Sequence, residues 1–445
     1  MMLCPRCGAP TEGADTCRFC RAKLDASTPR STPSAHRPNE CPFRDPSDAA
    51  IAFDPQVGFI AVCGVAVHGQ QASLRAWVLT DKRVLWDALA GQRGIEEVTR
   101  EQLYLLGRNV YVALKRRLVV LDLVSGAQKW VASLPDDVET VADPFPPTGR
   151  GAVLVATIDH QLSSFDRDSG QPLWTRSFEK KSIELQAVEG TGACLVRYGF
   201  PFVKVDIVNP AYAQPVASLG HDHWSTDLGL ARLEGRSVIT VVDDMGPEGD
   251  DDGLLGFDAV TGQRHFFEKI DDLEDDDVAP CAMGARVFAA TDDKLGIYVG
   301  PRGRVMPVPI PNHEIAAFCP AGPALALLLK KAHGTAIRRV VGIDPHGLAF
   351  RFDAGEAGVQ PEIAWEKQMK SDGYSLVFVA SDAEDERRYE LRSVDTTTGR
   401  PLWKHPLSGS WGGHRFLGGH LVVRTDSRVD VLSTSNGQLV TSLSR

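Results

Sequence analysis

One short sequence motif, which we call the phrase, recurs along most of this chain. It consists of an aspartate that ends an alternating strand, a serine or threonine, a glycine, and an aromatic residue four positions after the glycine. The complete copies are 122–130, 166–174, 258–266 and 395–403, and degenerate copies begin near Asp206, Asp344 and Ser433. The copies that start at 122, 166, 206 and 258 are separated by 44, 40 and 52 residues. Short β segments with such a period are typical of β-propeller blades and not of helical repeats.

Each part of the phrase has a structural role. The aspartate accepts hydrogen bonds from backbone N–H groups in a turn, and the glycine takes the left-handed conformation that the turn needs. The aromatic residue, for example Trp130, lies on the returning outer strand. We expect it to pack into the gap between neighbouring blades and to bury about 150–250 Å². The phrase therefore predicts an all-β fold, a closed propeller without long free edges.

The complete copies resemble the tryptophan-docking repeat of the pyrroloquinoline-quinone-like (PQQ-like) β-propellers. The resemblance extends over about residues 51–445 and is strong in four units. It implies blades of four strands, and further strand groups near 81–89 and 286–309 bring the count to eight or nine units. Because such rings often close by pairing their first and last strands, we predict eight blades, with seven as the alternative.

Four cysteines near the N-terminus have the spacing of a zinc ribbon. Cys4, Cys7, Cys17 and Cys20 form two CxxC pairs separated by nine residues. Two such pairs supply four thiolates in a tetrahedral shell, which suits structural Zn²⁺ and leaves no open position for catalysis. A rubredoxin-type iron centre uses similar pairs. We predict a zinc ribbon at residues 1–24 that resembles the N-terminal ribbons of many bacterial proteins and that depends on its metal for folding.

The segment that follows has the composition of a linker. Residues 25–50 contain five prolines and six serines or threonines, with almost no apolar residues. Such a segment cannot bury enough surface to offset its chain entropy. We therefore predict three parts: the ribbon at 1–24, a flexible, disordered linker at 25–50, and the propeller at 51–445.

The charge of the chain is unevenly distributed. The net charge is −10, and residues 243–277 hold 14 acidic and two basic residues. An acidic protein is repelled by nucleic acid and by anionic membranes, so we expect neither as a partner. We interpret the acidic segment as solvated loops that suit a basic protein surface. Coordination of Ca²⁺ by these carboxylates is the alternative.

Other features bear on location and on enzymatic activity. The N-terminus lacks the pattern of a signal peptide, and no apolar stretch reaches the ~20 residues of a spanning helix, so we predict a cytoplasmic protein that does not insert into membranes. If this chain were an enzyme of the PQQ-like family, the resemblance would imply export and a disulfide between adjacent cysteines. The sequence has no Cys-Cys dipeptide. Four cysteines lie singly within the predicted propeller, and we expect them to be buried apolar residues. They are Cys63, Cys194, Cys281 and Cys319.

We therefore predict no bound PQQ and no catalytic or cofactor-binding residue. His221 and His223 share one face of an extended segment but lack an identifiable third metal ligand. The sequence favours a non-enzymatic scaffold for protein–protein interaction, whose ribbon and propeller bind different partners. Two alternatives remain open. One is a quinone- or metal-dependent oxidoreductase with its site in the propeller funnel, and the other is a nucleic-acid-associated regulator that reads its target with the ribbon.

Overall fold

The structure is a computed structural model that describes most of the chain beyond residue 47. The described residues are 2–3, 10–11, 48–65, 71–92, 94–95, 98–145, 151–178, 183–188, 191–199, 204–218, 230–233, 237–242, 253–269, 280–291, 294–299, 302–307, 313–331, 338–357, 369–381 and 389–444. The chain divides into two compact units, Met1–Glu40 and Cys41–Arg445. In the first unit, β1 (Met2–Leu3) pairs antiparallel with β2 (Pro10–Thr11).

The second unit is built from four-stranded antiparallel sheets, each formed by four consecutive strands. Sheet 1 contains β3 (Ala50–Asp54), β4 (Gly58–Val65), β5 (Ser73–Val78) and β6 (Arg83–Ala88); sheet 2 contains β7 (Leu103–Leu106), β8 (Asn109–Leu114), β9 (Arg117–Asp122) and β10 (Gln128–Ser133); sheet 3 contains β11 (Val138–Ala142), β12 (Ala152–Thr157), β13 (Gln161–Asp166) and β14 (Pro172–Ser177). Sheet 4 contains β15 (Ile183–Val188), β16 (Ala193–Tyr198), β17 (Lys204–Val208) and β18 (Ala217–Ser218); sheet 5 contains β19 (Leu230–Leu233), β20 (Ser237–Val242), β21 (Gly253–Asp258) and β22 (Arg264–Lys269).

The remaining strands follow the same scheme. Sheet 6 contains β23 (Cys281–Met283), β24 (Arg286–Thr291), β25 (Lys294–Val299) and β26 (Arg302–Pro307); sheet 7 contains β27 (His313–Ala321), β28 (Ala324–Lys331), β29 (Arg338–Ile343) and β30 (Phe350–Ala357). Sheet 8 contains β31 (Met369–Ser371), β32 (Ser375–Ser381), β33 (Tyr389–Asp395) and β34 (Pro401–Pro406); sheet 9 contains β35 (Trp411–Leu417), β36 (His420–Thr425), β37 (Arg428–Ser433) and β38 (Leu439–Ser444). A 3₁₀ helix, Arg100–Gln102, precedes β7. In the part of the chain that the structure describes, no helix is long and apolar enough to cross a membrane.

The inner strands of the sheets carry the apolar core. All six residues of β8 and all six of β12 are buried, whereas β10 has buried residues only at alternate positions, with its other four residues exposed. A strand whose two faces are both covered is apolar along its whole length, and a strand with one solvated face alternates. The burial pattern therefore shows that neighbouring sheets cover both faces of these central strands.

Buried apolar clusters join the sheets into a ring. Such clusters connect sheets 1 and 2, 2 and 3, 3 and 4, 4 and 5, 6 and 7, 7 and 8, and 8 and 9, and β19 of sheet 5 contacts β23 of sheet 6. A further cluster joins sheet 9 to sheet 1, with Val429 and Val431 packed in one core with Phe59 and Ala61. A closed ring of four-stranded antiparallel sheets is the architecture of a β-propeller, so the predicted all-β propeller fold is confirmed.

The number of sheets differs from the predicted eight blades. The described residues form nine four-stranded sheets. The prediction of eight assumed that the first and last strands share a blade, but sheet 1 and sheet 9 each take all four strands from one continuous segment. Side chains close the ring instead: the Thr441 hydroxyl donates to the carbonyl of Leu79 at 2.8 Å, beside the apolar cluster of the two sheets.

The recurring phrase forms the turn between the third and fourth strands. In sheet 2, Asp122 Oδ1 accepts hydrogen bonds from the N–H groups of Val124 (3.1 Å) and Ser125 (2.9 Å) and from the Ser125 hydroxyl (2.9 Å). Partial burial raises the pKa of Asp122, but these hydrogen bonds outweigh it and bring the pKa below its usual value. Gly126 has a φ of +68°, and its N–H donates to the Asp122 carbonyl at 2.9 Å. The predicted roles of aspartate and glycine are therefore confirmed.

The tryptophan of a fourth strand binds the next sheet. Four such side chains donate an Nε1–H hydrogen bond to a carbonyl of the following turn: Trp86 to Leu123 (2.9 Å), Trp130 to Arg167 (2.9 Å), Trp174 to Pro210 (2.8 Å) and Trp403 to Thr434 (2.8 Å). In three of these turns the indole also lies where a Cβ on the turn glycine would be, and these glycines are Gly126, Gly170 and Gly437. The predicted packing between blades is confirmed, and it explains why the phrase needs glycine at this position.

The degenerate copy in sheet 4 is shifted from its predicted position. Asn209, and not Asp206, caps the turn, because Asn209 Oδ1 accepts the N–H of Ala211 at 3.0 Å. Asp206 instead lies within β17 and is 1% exposed. Its carboxylate accepts hydrogen bonds from Ser218 Oγ (2.6 Å) and Arg176 Nη1 (2.8 Å). The aspartate therefore forms a buried polar contact between sheets 3 and 4.

The copy in sheet 7 also departs from the phrase. Leu348, and not Gly347, has the positive φ (+55°) of the turn glycine, and its N–H donates to the Asp344 carbonyl at 2.8 Å. A leucine in this conformation is strained by about 1–2 kcal/mol. Its side chain is buried in the apolar cluster between sheets 6 and 7, which offsets the strain.

Candidate functional site

The predicted site residues fall largely outside the described part of the chain. This applies to the zinc ligands Cys4, Cys7, Cys17 and Cys20, to His221 and His223, and to residues 243–252 and 270–277 of the acidic segment. Among the described residues, no group of three or more His, Cys, Asp and Glu could hold a metal ion. The four cysteines that lie singly in the strands, Cys63, Cys194, Cys281 and Cys319, are buried as predicted. Burial raises the pKa of the Cys194 and Cys319 thiols to about 12, so both are protonated at neutral pH.

A cavity of about 570 Å³ lies where the last sheet of the ring meets the first. It is lined by β3 of sheet 1, the 3₁₀ helix and β7 of sheet 2, β31 of sheet 8, and β35 and β36 of sheet 9. We call it the seam cavity. Its charged lining residues are Arg100, Glu101, Lys370, Arg415 and Arg424. A second hollow of about 440 Å³ adjoins it and shares Arg100, Glu101, Gly412 and Arg424 with it.

Topology places this lining at one face of the ring. Arg100 and Glu101 directly precede the first strand of sheet 2, Lys370 lies in the short first strand of sheet 8, and Arg424 is near the end of the second strand of sheet 9. First strands begin, and second strands end, on the same face of an antiparallel sheet. Arg100 and Glu101 are exposed, so solvent reaches the seam cavity from this face.

Two arginines of sheet 9 reach across the seam to sheet 1. The Arg424 guanidinium donates a hydrogen bond to the carbonyl of Ala49 at 2.7 Å, and the Arg415 guanidinium donates to the carbonyl of Ile51. Arg424 pairs with Gly413 across β35 and β36, next to a β-bulge in β35. A bulge bends its strand and redirects neighbouring side chains. These arginines therefore both help to close the ring and bring positive charge to its inner surface.

The cations of the seam cavity repel one another. Burial, followed by the charges of Arg100 and Arg415, lowers the pKa of Arg424 to about 10, although the carboxylate of Asp48 acts in the opposite direction. Burial and the charge of Arg100 also lower the pKa of Arg415. An arginine near pKa 10 is still protonated at neutral pH. The described lining residues include four cations and one carboxylate, Glu101, so their formal charge is +3, within a chain of net charge −10.

Two uncharged polar side chains complete the lining. Burial lowers the pKa of His414 to about 3, so its imidazole is neutral at physiological pH. Burial and the nearby carboxylates of Glu101 and Glu139 raise the pKa of Tyr104 to about 12, so its phenol is neutral as well. The Tyr104 hydroxyl donates to the carbonyl of Glu139 at 3.2 Å.

The chemistry of this arrangement is that of anion binding. A protonated guanidinium cannot act as a general base, but it presents five N–H donors in a planar fork that matches a carboxylate or a phosphate. Hydrogen bonds between ionised groups are roughly twice as strong as those between neutral groups. A bound anion would also relieve the repulsion among Arg100, Arg415 and Arg424.

The sequence gives almost no signal for the seam cavity. Arg100 and Arg424 are 324 positions apart, and each is one arginine among many in the chain. Only closure of the ring brings the first two sheets next to the last two. The nearest local signal is the pair Gly412-Gly413, which lies at the bulge in the cavity wall. From the sequence alone, two adjacent glycines indicate a turn and nothing more.

Comparison with protein families finds one match. A family model of the PQQ repeat type, described as outer membrane protein assembly factor BamB, matches residues 62–200. This segment includes the complete copies at 122–130 and 166–174. No curated protein matches the sequence. The family match agrees with the predicted resemblance to the PQQ-like repeat over residues 62–200, and the tryptophan contacts between sheets agree with a β-propeller.

Comparison with solved structures finds proteins of low sequence identity. BamB from Moraxella catarrhalis is similar over 88% of this chain and 95% of its own, with 12% identity and a TM-score of 0.40. Apo AztD from Citrobacter koseri is similar over 76% and 94%, with 12% identity and a TM-score of 0.41. Quinohemoprotein alcohol dehydrogenase from Comamonas testosteroni is similar over 76% and 74%, with 10% identity and a TM-score of 0.41.

Proposed function

We propose that this chain is a non-enzymatic scaffold for protein–protein interaction, in which the zinc ribbon and the propeller bind different partners. The observation that supports the proposal most is the charge of the seam cavity, +3 on one face of the ring in a chain of net charge −10. Concentrated charge of one sign attracts and orients a partner of the opposite sign. The family model that matches residues 62–200 is named for a factor in protein assembly, which agrees with a role in contacting proteins.

The ring suits a scaffold because its sheets are fixed to one another. Trp86, Trp130 and Trp174 each bind a carbonyl of the next sheet at 2.8–2.9 Å. Loops held on a rigid frame lose little conformational entropy when a partner binds, and preorganisation of this kind raises affinity. A tethered ribbon adds a second contact, whose effective concentration is set by the linker.

The acidic segment supports a further part of this proposal. Residues 243–277 carry a net charge of −12, from 14 acidic and two basic residues. A basic protein surface is the partner we propose for this segment. The seam cavity and the acidic segment thus have opposite charge, so they would select different partners.

The N-terminal cysteines are expected to bind one zinc ion per chain. Purified full-length protein should contain one equivalent of Zn²⁺, released when a mercurial reagent modifies the thiolates. Cys4→Ser should abolish the bound zinc, because one of four ligands is lost, and it should leave unfolding of the propeller unchanged. Elemental analysis and urea unfolding measure the two effects. Zinc retained at one equivalent by Cys4→Ser would contradict the predicted ligand set.

The scaffold proposal is tested by cross-linking and affinity capture of the tagged full chain in its native host. Two variants probe the two sites: Cys4→Ser with Cys7→Ser in the ribbon, and Arg100→Gln with Lys370→Gln in the seam cavity. We expect the full chain to enrich specific proteins over a tag-only control. Each double variant should lose a different one of them, as identified by mass spectrometry.

Two results would count against this proposal. Failure of the full chain to enrich any protein would remove the scaffold function. Loss of the same proteins by both double variants would remove the part of the proposal in which the ribbon and the propeller bind different partners.

A further inference from the structure

We propose that the seam cavity binds an acidic segment of a partner protein, whose carboxylates are held by Arg100, Lys370 and Arg415. This inference rests on the proposed scaffold function and specifies one of its binding sites. The three cations come from sheets 2, 8 and 9 and line one cavity. Among the described lining residues, Glu101 is the single carboxylate that opposes them.

The cations of the cavity differ in their contacts and in their exposure. Arg424 and Arg415 each donate one hydrogen bond to a carbonyl of the segment that leads into or forms β3. A guanidinium has five N–H donors, so the bond from Arg415 to Ile51 leaves this side chain able to bind a carboxylate as well. Arg100 is exposed next to the cavity and Lys370 is partly exposed, which leaves both within reach of a ligand that enters from solvent.

The size of the cavity favours a peptide over a single anion. The seam cavity has a volume of about 570 Å³. One water molecule occupies about 30 Å³ of liquid, and a lone carboxylate or phosphate is only a few times larger. The space accommodates several side chains, and the apolar wall formed by Leu103 and Leu105 suits the carbon atoms between the carboxylates.

The overall charge of the protein disfavours nucleic acid as the ligand. A nucleic acid presents its phosphates over a length much greater than the cavity, and a chain of net charge −10 repels it beyond the local cluster. An acidic peptide segment places a few carboxylates in the cavity, while the rest of the partner can carry any charge. Local complementarity of this kind gives specificity and a fast association rate.

The inference is tested with purified full-length protein and a fluorescein-labelled peptide of alternating glutamate and serine. We expect binding in fluorescence anisotropy that weakens as salt is added, because salt screens charge pairs. Arg100→Gln with Lys370→Gln should weaken binding at least about tenfold, which corresponds to about 1.4 kcal/mol. Circular dichroism and the urea midpoint establish that the variant remains folded.

Matched controls isolate the seam cavity. Arg116→Gln with Arg117→Gln removes the same charge at the β8–β9 turn, outside the cavity, and should bind the peptide as the unsubstituted protein does. A peptide with glutamine in place of glutamate should not bind. Citrate, inorganic phosphate and a single-stranded oligonucleotide serve as competing anions, to separate small and polymeric ligands from the acidic peptide.

The outcomes distinguish this inference from the scaffold proposal. Equal loss of peptide affinity in the two double variants would show only a general charge effect and would overturn the inference. Binding of citrate, phosphate or the oligonucleotide in preference to the peptide would overturn it as well. Suppose that the capture experiment enriches specific proteins and that the double variant Arg100→Gln with Lys370→Gln still binds all of them. In that case the scaffold function stands, and the seam cavity is not its binding site.

Discussion

Trp130→Ala is expected to lower the free energy of unfolding by about 3–5 kcal/mol, the usual effect of truncating a buried tryptophan. The side chain is 6% exposed. It stacks on Phe165 of sheet 3 with 6.1 Å between ring centroids and meets Tyr111 edge-on at 6.1 Å. Its Nε1–H donates to the carbonyl of Arg167 at 2.9 Å. The substitution opens a cavity between sheets 2 and 3 and leaves a buried carbonyl without its donor.

Two further substitutions separate packing from hydrogen bonding. Trp130→Phe keeps an aromatic ring but removes the donor, so it should lower the free energy of unfolding by about 1–3 kcal/mol. Val131→Ala changes the neighbouring residue on the same strand, whose side chain is 42% exposed, and should have an effect below about 1 kcal/mol. Urea unfolding gives the three values from the midpoint and the m value. Similar losses for Trp130→Ala and Val131→Ala would mean that this tryptophan does not hold the two sheets together.

The recurring phrase predicts so much of the fold because its turn contacts are short in sequence. Asp122 and Ser125 meet within one turn, and Gly126 adopts its positive φ in the same turn. The tryptophan is a longer-range contact, yet it repeats at a nearly constant separation: 37 residues from Trp130 to Arg167 and 36 from Trp174 to Pro210. Local chemistry and a fixed period together are sufficient to predict propeller sheets.

The phrase fails where another residue can take over a role. Asn209 caps the turn of sheet 4 through its amide oxygen, so the cap does not require aspartate there. Asp206 matches the phrase in sequence but is buried and binds Arg176 of the preceding sheet. The number of sheets is also difficult to predict, because sheet 6 carries no clear copy of the phrase, and the manner of ring closure depends on contacts between the two ends of the domain.

The seam cavity could not be predicted from the sequence, because the residues that line it are far apart along the chain. Its cations lie in the 3₁₀ helix that precedes sheet 2 and on strands of sheets 8 and 9, and the local sequence around each cation gives no sign of the others. The charge of +3 in the cavity lining is also hidden by the net charge of −10 for the whole chain. The acidic segment at 243–277 predicts a basic partner, whereas the charge of the described cavity lining suits an acidic one. Net charge describes long-range repulsion and not the local field of a site.

Gly418→Ala is expected to lower the free energy of unfolding by about 2–5 kcal/mol, because it affects the contact that closes the ring. Gly418 has a φ of +58° in the turn between β35 and β36, where a side chain adds about 1–2 kcal/mol of strain. A Cβ there would also overlap the ring of Phe53 in sheet 1, and overpacking adds about 1–3 kcal/mol. Phe53 in turn packs on Phe59 with 5.0 Å between ring centroids, which limits its movement.

Gly284→Ala is the matched control for this prediction. Gly284 has nearly the same φ, +59°, after the first strand of sheet 6, but nothing lies within 4 Å of the added Cβ. It should therefore show the backbone strain alone, about 1–2 kcal/mol. In a Phe53→Ala background the overlap is absent, so the further effect of Gly418→Ala should fall to the same value, which urea unfolding of the double-mutant cycle measures. An effect of Gly418→Ala that is unchanged by Phe53→Ala would show that sheets 9 and 1 do not meet through this contact.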